Sequence, residues 1–226
     1  MPFGAAVVAE GVRFRLWAPA AESVDVGLVV DDDAPTWHVL SGDANGWYHG
    51  VVAGAGAGAR YRFRIDGKTL VPDPASRYNP DDVHGASQVI DPGAFEWHDG
   101  DWRGRRWSEA VLYELHVGAF TQGGTFADVA SRLDHLVDLG VTALELMPVA
   151  DFPGRRNWGY DGALLFAPDA TYGHPDDLKA LVVAAHRRGC STLWRSGLAS
   201  TGAGGRGPAA RRGPGVGDPG RESESQ

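Results

Sequence analysis

VLYELHVGAF (111–120), GTFADVASRLDHLVDLG (124–140) and VTALELMPV (141–149) decide how this chain folds. The first is an apolar run rich in aromatic and aliphatic side chains and closed by Gly123-Gly124, the pattern of a buried strand. Thr125 stands three residues before Asp128 as a capping box, and Val129, Leu133, Leu136 and Val137 recur at helical spacing until Gly140. A helix over 126–139 with one buried face is therefore expected. The third run predicts a second buried strand, 141–149, in which Pro148 cannot continue a ladder. A long loop follows, DFPGRRNWGYDGALLFAPDATYGHP (151–175). A second helix then opens with Pro175, places Asp176 and Asp177 against the positive end of its dipole, and closes on His186, Arg187, Arg188 and Gly189. Strand, helix, strand, loop and helix with short connections argue for parallel pairing through right-handed crossovers. That order suits an open α/β sheet or the start of a (β/α) barrel, and periodicity does not choose between them.

Working outward, residues 11–90 alternate with period two in short pieces (VRFRLW, VDVGLVV, TWHVL, WYHGVV, ARYRFRI) separated by Pro, Gly, Asp and Asn. A small antiparallel β-sandwich of immunoglobulin-like type over 1–95 is expected. Asp66-Gly67 reads as a two-residue hairpin turn, and AGAGAGA (53–59) as a loose hairpin loop. Trp37, Trp47 and Tyr48 could stack on sugar rings, but without a companion set of polar groups they read better as packing residues. Residues 96–110 read as a linker, part of a Pro- and Gly-marked crossing pinned by Trp97, Trp102 and Trp107. Past Gly189 the composition shifts: in residues 190–226 only Leu193, Leu198 and Val216 are branched aliphatics, against nine Gly and five Arg. Such a segment cannot offset its ordering entropy by burial, so a disordered tail is expected. Its abrupt start, where a βα repeat calls for a strand, reads as an out-of-frame translation, with a genuine disordered linker as the competing reading.

The 226 residues, 43% hydrophobic, suffice for a real core. A net charge of −8 gives no basic footprint for nucleic acid or an anionic membrane surface. No run of about 18 apolar residues suggests a membrane span, and the amino terminus lacks the basic region of a signal peptide, so cytoplasmic residence is expected. The single cysteine, Cys190, excludes a disulfide framework. The eight histidines are scattered without HExxH spacing, so neither a metal nor another cofactor is expected.

YELHVGAFT, GTFADVASRLDHLVDLGVTALELMPV and NWGYDGALLFAPDATYGHPDDLKALVVAAHRRG resemble the opening of the catalytic TIM barrel, a (β/α)8 fold, of the α-amylase superfamily. Within it they are most similar to the maltooligosyltrehalose trehalohydrolase family. That resemblance implies a partial barrel over 111–189 behind an amino-terminal β-domain. It also implies a glycoside hydrolase that cleaves the α-1,4 bond next to the trehalose end of maltooligosyl trehalose, an oligosaccharide, to release trehalose. The family's nucleophilic Asp, acid/base Glu and third Asp follow its fourth, fifth and seventh strands, so no catalytic residue carries over and this chain itself is expected to be inactive. NWGYDG (157–162) does carry over: the resemblance makes Tyr160 the ring that stacks on the sugar at the cleavage subsite, with Trp158 and Asp161 as substrate-binding neighbours. Glu114 and Glu145 read as ordinary strand carboxylates, and His116 and Phe120 as barrel filling. Glycogen branching or debranching relatives, or a non-catalytic glycan-binding fragment, are the alternatives.

Overall fold

The structure is a computed structural model that describes residues 3–29 and 34–194. In chain order its first strands are β1 (Ala6–Val8), β2 (Gly11–Trp17), β3 (Val24–Val29), β4 (Thr36–Val39), β5 (Ser41–Gly42), β6 (Trp47–Ala53), β7 (Arg60–Ile65), β8 (Thr69–Val71) and β9 (Ser87–Gln88). They form two antiparallel sheets, β1-β2-β6-β5 and β4-β3-β7-β8, with β9 also paired to β7. Alternation sets the burial: Val12, Phe14 and Leu16 of β2 point into the core, where they meet Val24 and Val26 of β3, Val52 of β6, and Tyr61 and Phe63 of β7. This is the expected sandwich. The turn between β7 and β8 holds Asp66 at φ +50° and Gly67 at φ +66°, the two left-handed residues that the twist of a tight hairpin demands. The aromatics weighed as sugar platforms are engaged within the domain. Trp37 packs over Gly27 and under the Arg64 guanidinium at 4.0 Å, Trp47 lies under Arg15 at 4.4 Å, and the Tyr48 hydroxyl donates to the Ala21 carbonyl.

The second unit holds β10 (Leu112–Leu115), α1 (Val117–Phe120), α2 (Phe126–Ser131), α3 (Leu133–Asp138), β11 (Ala143–Leu146), β12 (Ala150–Asp151), β13 (Leu164–Pro168), α4 (Pro175–Arg187) and β14 (Ser191–Trp194). β10, β11 and β14 pair in parallel in that order, as the first three strands of a barrel do. The fold class is thus an immunoglobulin-like β-sandwich followed by the start of a (β/α) barrel.

Four local expectations are corrected. The run 111–120 is not all strand: after Leu115 the chain turns into α1, and Gly118 lies so close to Tyr172 that a Cβ there would stand 2.9 Å from the ring. Apolar content alone does not separate a short strand from a short buried helix. The single helix expected over 126–139 is broken at Arg132 (φ −103°, ψ 2°) into α2 and α3, while Phe126, Val129, Leu133 and Leu136 keep a common buried face. The Thr125–Asp128 capping box and the Gly140 stop, at φ +92°, are as expected.

Third, order does not end at Gly189. Cys190 is buried, and Ser191–Trp194 forms β14 in register with β11, whose second edge supplies its parallel ladder partners. The rest of the segment expected to be disordered, residues 195–226, lies outside the described residues. Fourth, the indoles of the linker do not share one role. Trp102 stacks on His186 at 4.9 Å beside an Asp99–His186 contact of 2.6 Å, and Trp97 lies edge-on to Phe95, but Trp107 is 76% exposed and pins nothing by burial.

Candidate substrate-binding cleft

β12 and β13 form an antiparallel hairpin, so what reads as one long loop is a paired base with a connection over 152–163. That connection carries all three residues singled out from NWGYDG. Side chains from elsewhere hold its backbone. Phe152 N–H donates to Asp169 at 3.4 Å, Gly154 N–H donates to Asp82 at 2.8 Å, and the Asn157 carbonyl accepts from His116 Nε2 at 3.0 Å. Asn157 Oδ1 in turn accepts from Gly159 N–H. Gly159 sits at φ +89° against Pro148, where a Cβ would come within 3.1 Å of the proline ring, so this turn is built for glycine.

A cleft of about 540 Å³ opens beside this connection, lined by His116, Ala119, Met147, Arg156, Asn157, Trp158 and Asp161. His116 directly follows β10 and Met147 directly follows β11, which places the cleft at the carboxyl ends of the parallel strands, where barrels assemble their sites. The cleft brings Trp158 and Asp161 together. Trp158 is 83% exposed, an indole face offered to solvent rather than to the core. Tyr160, 48% exposed, does not line the cleft.

Sequence reasoning missed Arg156 and Met147 and undervalued His116. The signal for Arg156 was its place directly before NWGYDG; for Met147, its place at the end of a strand. Nε2 of His116 donates to the Asn157 carbonyl, while His116 Nδ1 and Asn157 Nδ2 are buried with no hydrogen-bond partner among the described residues. Glu114 and Glu145 face each other across the β10–β11 ladder and are not part of the cleft wall.

Asp151 ends β12 and Asp169 directly follows β13, and each is 1% exposed. Burial pushes the Asp151 carboxyl up to about 7, helped by the Asp169 charge, a hydrogen bond to Asp169 and the charge of Asp82. Tyr172, between this pair and the α2 face, is raised to about 12 by burial and by Asp169. Among the described residues no group of three or more His, Cys, Asp or Glu side chains could hold a metal ion.

Residues 2–92 match the family profile of carbohydrate-binding module 48, the isoamylase N-terminal domain, and residues 76–194 match that of the alpha amylase catalytic domain. The chain is 48% identical over 179 residues to the malto-oligosyltrehalose trehalohydrolase of Deinococcus radiodurans, covering 79% of this chain and 29% of the relative. Against the enzyme of the same name from Saccharolobus solfataricus it is 40% identical over 193 residues, covering 85% and 34%. It superimposes with a TM-score of 0.80 on a crystal structure of a Salmonella typhimurium protein provisionally assigned as an alpha amylase, at 44% identity over 85% of this chain and 32% of that one. The chain therefore spans about a third of the length of the proteins it matches. With the catalytic-domain profile covering more than half of its residues, and a parallel sheet and strand-end cleft to match, the chain belongs to the alpha-amylase family of glycoside hydrolases.

Proposed function

We propose that this chain carries the substrate-binding start of a trehalohydrolase-type enzyme and that its cleft takes the glucose units of maltooligosyl trehalose. The observation that carries the reading is the pairing, on one wall at the strand ends, of an outward-facing indole, Trp158, with the carboxylate of Asp161 and the guanidinium of Arg156. A pyranose presents an apolar face of C–H groups to an aromatic ring and hydroxyls at its rim to charged acceptors and donors, so this trio matches both halves of a sugar. Tyr160, in the same connection, is a further exposed ring that an oligosaccharide longer than the cleft would meet. Similarity to trehalohydrolases supports the trehalose-ended substrate. Placement in the cytoplasm belongs to the same proposal, and Cys190, a buried free thiol, is compatible with a reducing compartment.

Binding and turnover separate here. Glycosidic cleavage needs one carboxyl group to protonate the leaving oxygen and a second to attack or to activate water. Among the described residues that line the cleft Asp161 is the only carboxylate, so the chain is expected to bind without releasing trehalose. Saturation-transfer NMR of maltotetraosyl trehalose with the purified chain, followed by analysis of the solution for free trehalose, tests both halves. The expected result is saturation transfer to the sugar, weakened in Trp158→Ala, with no trehalose formed. No saturation transfer refutes the binding site, and trehalose release that scales with protein refutes the assignment of a binding role alone.

A further inference from the structure

Among the described residues only two non-glycine positions hold left-handed backbone, Asp66 at φ +50° and Asp82 at φ +70°. The β7–β8 hairpin accounts for the first. Asp82 lies in no hairpin; it belongs to the stretch that leaves the sandwich, and a side chain at such a φ is strained unless its surroundings hold it there. What holds it is visible. One carboxyl oxygen accepts from the neighbouring Val83 N–H, and the other accepts from Gly154 N–H at 2.8 Å, 72 positions along the chain.

The same short stretch is tied down on both sides. Asp81 pairs with Arg60 of β7, which fixes it to the sandwich. Val83, 4% exposed, packs with Leu164 and Ala167 of β13, which fixes it to the hairpin. Asp82 and Val83 thus grip the 152–163 connection near both of its ends, Gly154 on the way in and Leu164 on the way out. The ring of Tyr78 meets His174, the N-cap of α4, at 4.9 Å.

We infer that Asp82 is a positioning residue for the oligosaccharide cleft: its carboxylate, supplied by the segment leaving the β-domain, fixes the Gly154 end of the connection so that Trp158 and Asp161 face the same space. The inference rests on the oligosaccharide reading of that cleft. Its physical content is that a charged acceptor on a single backbone N–H replaces the backbone ladder that the connection lacks between Phe152 and Ala163. The β-domain is then coupled to the connection by the Asp82–Gly154 hydrogen bond, alongside the apolar contacts of Val83 with Leu164 and Ala167 and of Phe3 with Phe166.

Two substitutions separate positioning from bulk stability. Asp82→Gly accepts φ +70° without strain but removes the acceptor, whereas Asp82→Asn keeps an oxygen acceptor and tolerates the same backbone. Hydrogen exchange by mass spectrometry and titration with maltotetraosyl trehalose are run on the wild-type chain and on both variants. In Asp82→Gly, exchange within 152–163 accelerates about tenfold and affinity falls about tenfold, the loss expected for one charge-assisted hydrogen bond. Exchange in β2 and β7 is unchanged, and Asp82→Asn, which keeps one neutral oxygen acceptor, falls between the wild type and Asp82→Gly on both readouts. If Asp82→Gly matches the wild type in exchange and affinity, or exchanges faster everywhere, the positioning role is overturned. A wild-type chain that does not bind the sugar refutes the oligosaccharide reading instead, and the exchange data still show whether Asp82 holds the connection.

Discussion

Replacing Asp151 with asparagine is expected to leave the chain's stability at pH 4 almost unchanged and to raise it at pH 8. Asp151 is 1% exposed, and one of its oxygens is buried with no hydrogen-bond partner among the described residues. In the fold its carboxyl is pushed to about 7, by burial first and then by Asp169, whereas in the unfolded chain it titrates at about 4. From about pH 4 to 7 the folded state therefore keeps a proton that the unfolded state releases. Stability contributed by this group is present below that window and is lost as pH rises through it, the reverse of an ordinary paired carboxylate. The full difference sets an upper limit of about 4 kcal/mol. Relaxation and water entry around a buried charge bring the expected effect to about 2–4 kcal/mol.

An asparagine amide is isosteric with the protonated acid, donates to Asp169 as the acid does, and never ionises. Urea denaturation followed by circular dichroism, for wild type and Asp151→Asn at pH 4, 6 and 8, measures the effect. The two curves should coincide at pH 4 and separate progressively, with the variant more stable. A constant gap across pH, or a variant that is less stable at pH 8, would refute the reasoning.

Two further outcomes follow from packing. Leu144 is fully buried at the centre of β11, so Leu144→Ala should cost about 2–5 kcal/mol in chemical denaturation through transfer and cavity formation. Trp102→Ala removes the indole stacked on His186 and should cost about 0.5–1.5 kcal/mol while making the 96–106 segment the first site of limited proteolysis.

The sandwich was legible because one face of each strand is wet: the period-two alternation of VRFRLW maps directly onto the buried Val12, Phe14 and Leu16. The Asp66-Gly67 turn and the Thr125 cap were legible because their chemistry is local. The parallel strands were harder, since VLYELHVGAF stays mostly apolar on both sides of Leu115 and carries no signal for where the strand stops and α1 starts. The pattern therefore predicts a strand six residues longer than β10 and gives no sign of α1. β14 was hidden by the composition that follows it, although Thr192 and Leu193 find their places on the open edge of β11. In the site, Trp158 and Asp161 were reached through the resemblance of NWGYDG to the family's loop. Arg156 and Met147 were not, because only the closing of the β12–β13 hairpin over the ends of β10 and β11 brings them to the same wall. Asp82 had no signal in the sequence at all, being an aspartate in a stretch full of turn residues whose partner lies in another unit of the fold.

The most direct test of the central claim is an exchange of parts with the relative from Deinococcus radiodurans, which is 48% identical over the shared region. Residues 1–194 of this chain would replace the corresponding first third of that enzyme, and trehalose release from maltotetraosyl trehalose would be measured for the chimera and for versions carrying Trp158→Ala or Asp161→Asn. The account predicts a folded chimera that releases trehalose, with kcat/KM lowered about tenfold or more by either substitution, as expected when a stacking or charged sugar contact is lost. A folded chimera that releases no trehalose, or one indifferent to both substitutions, would contradict it.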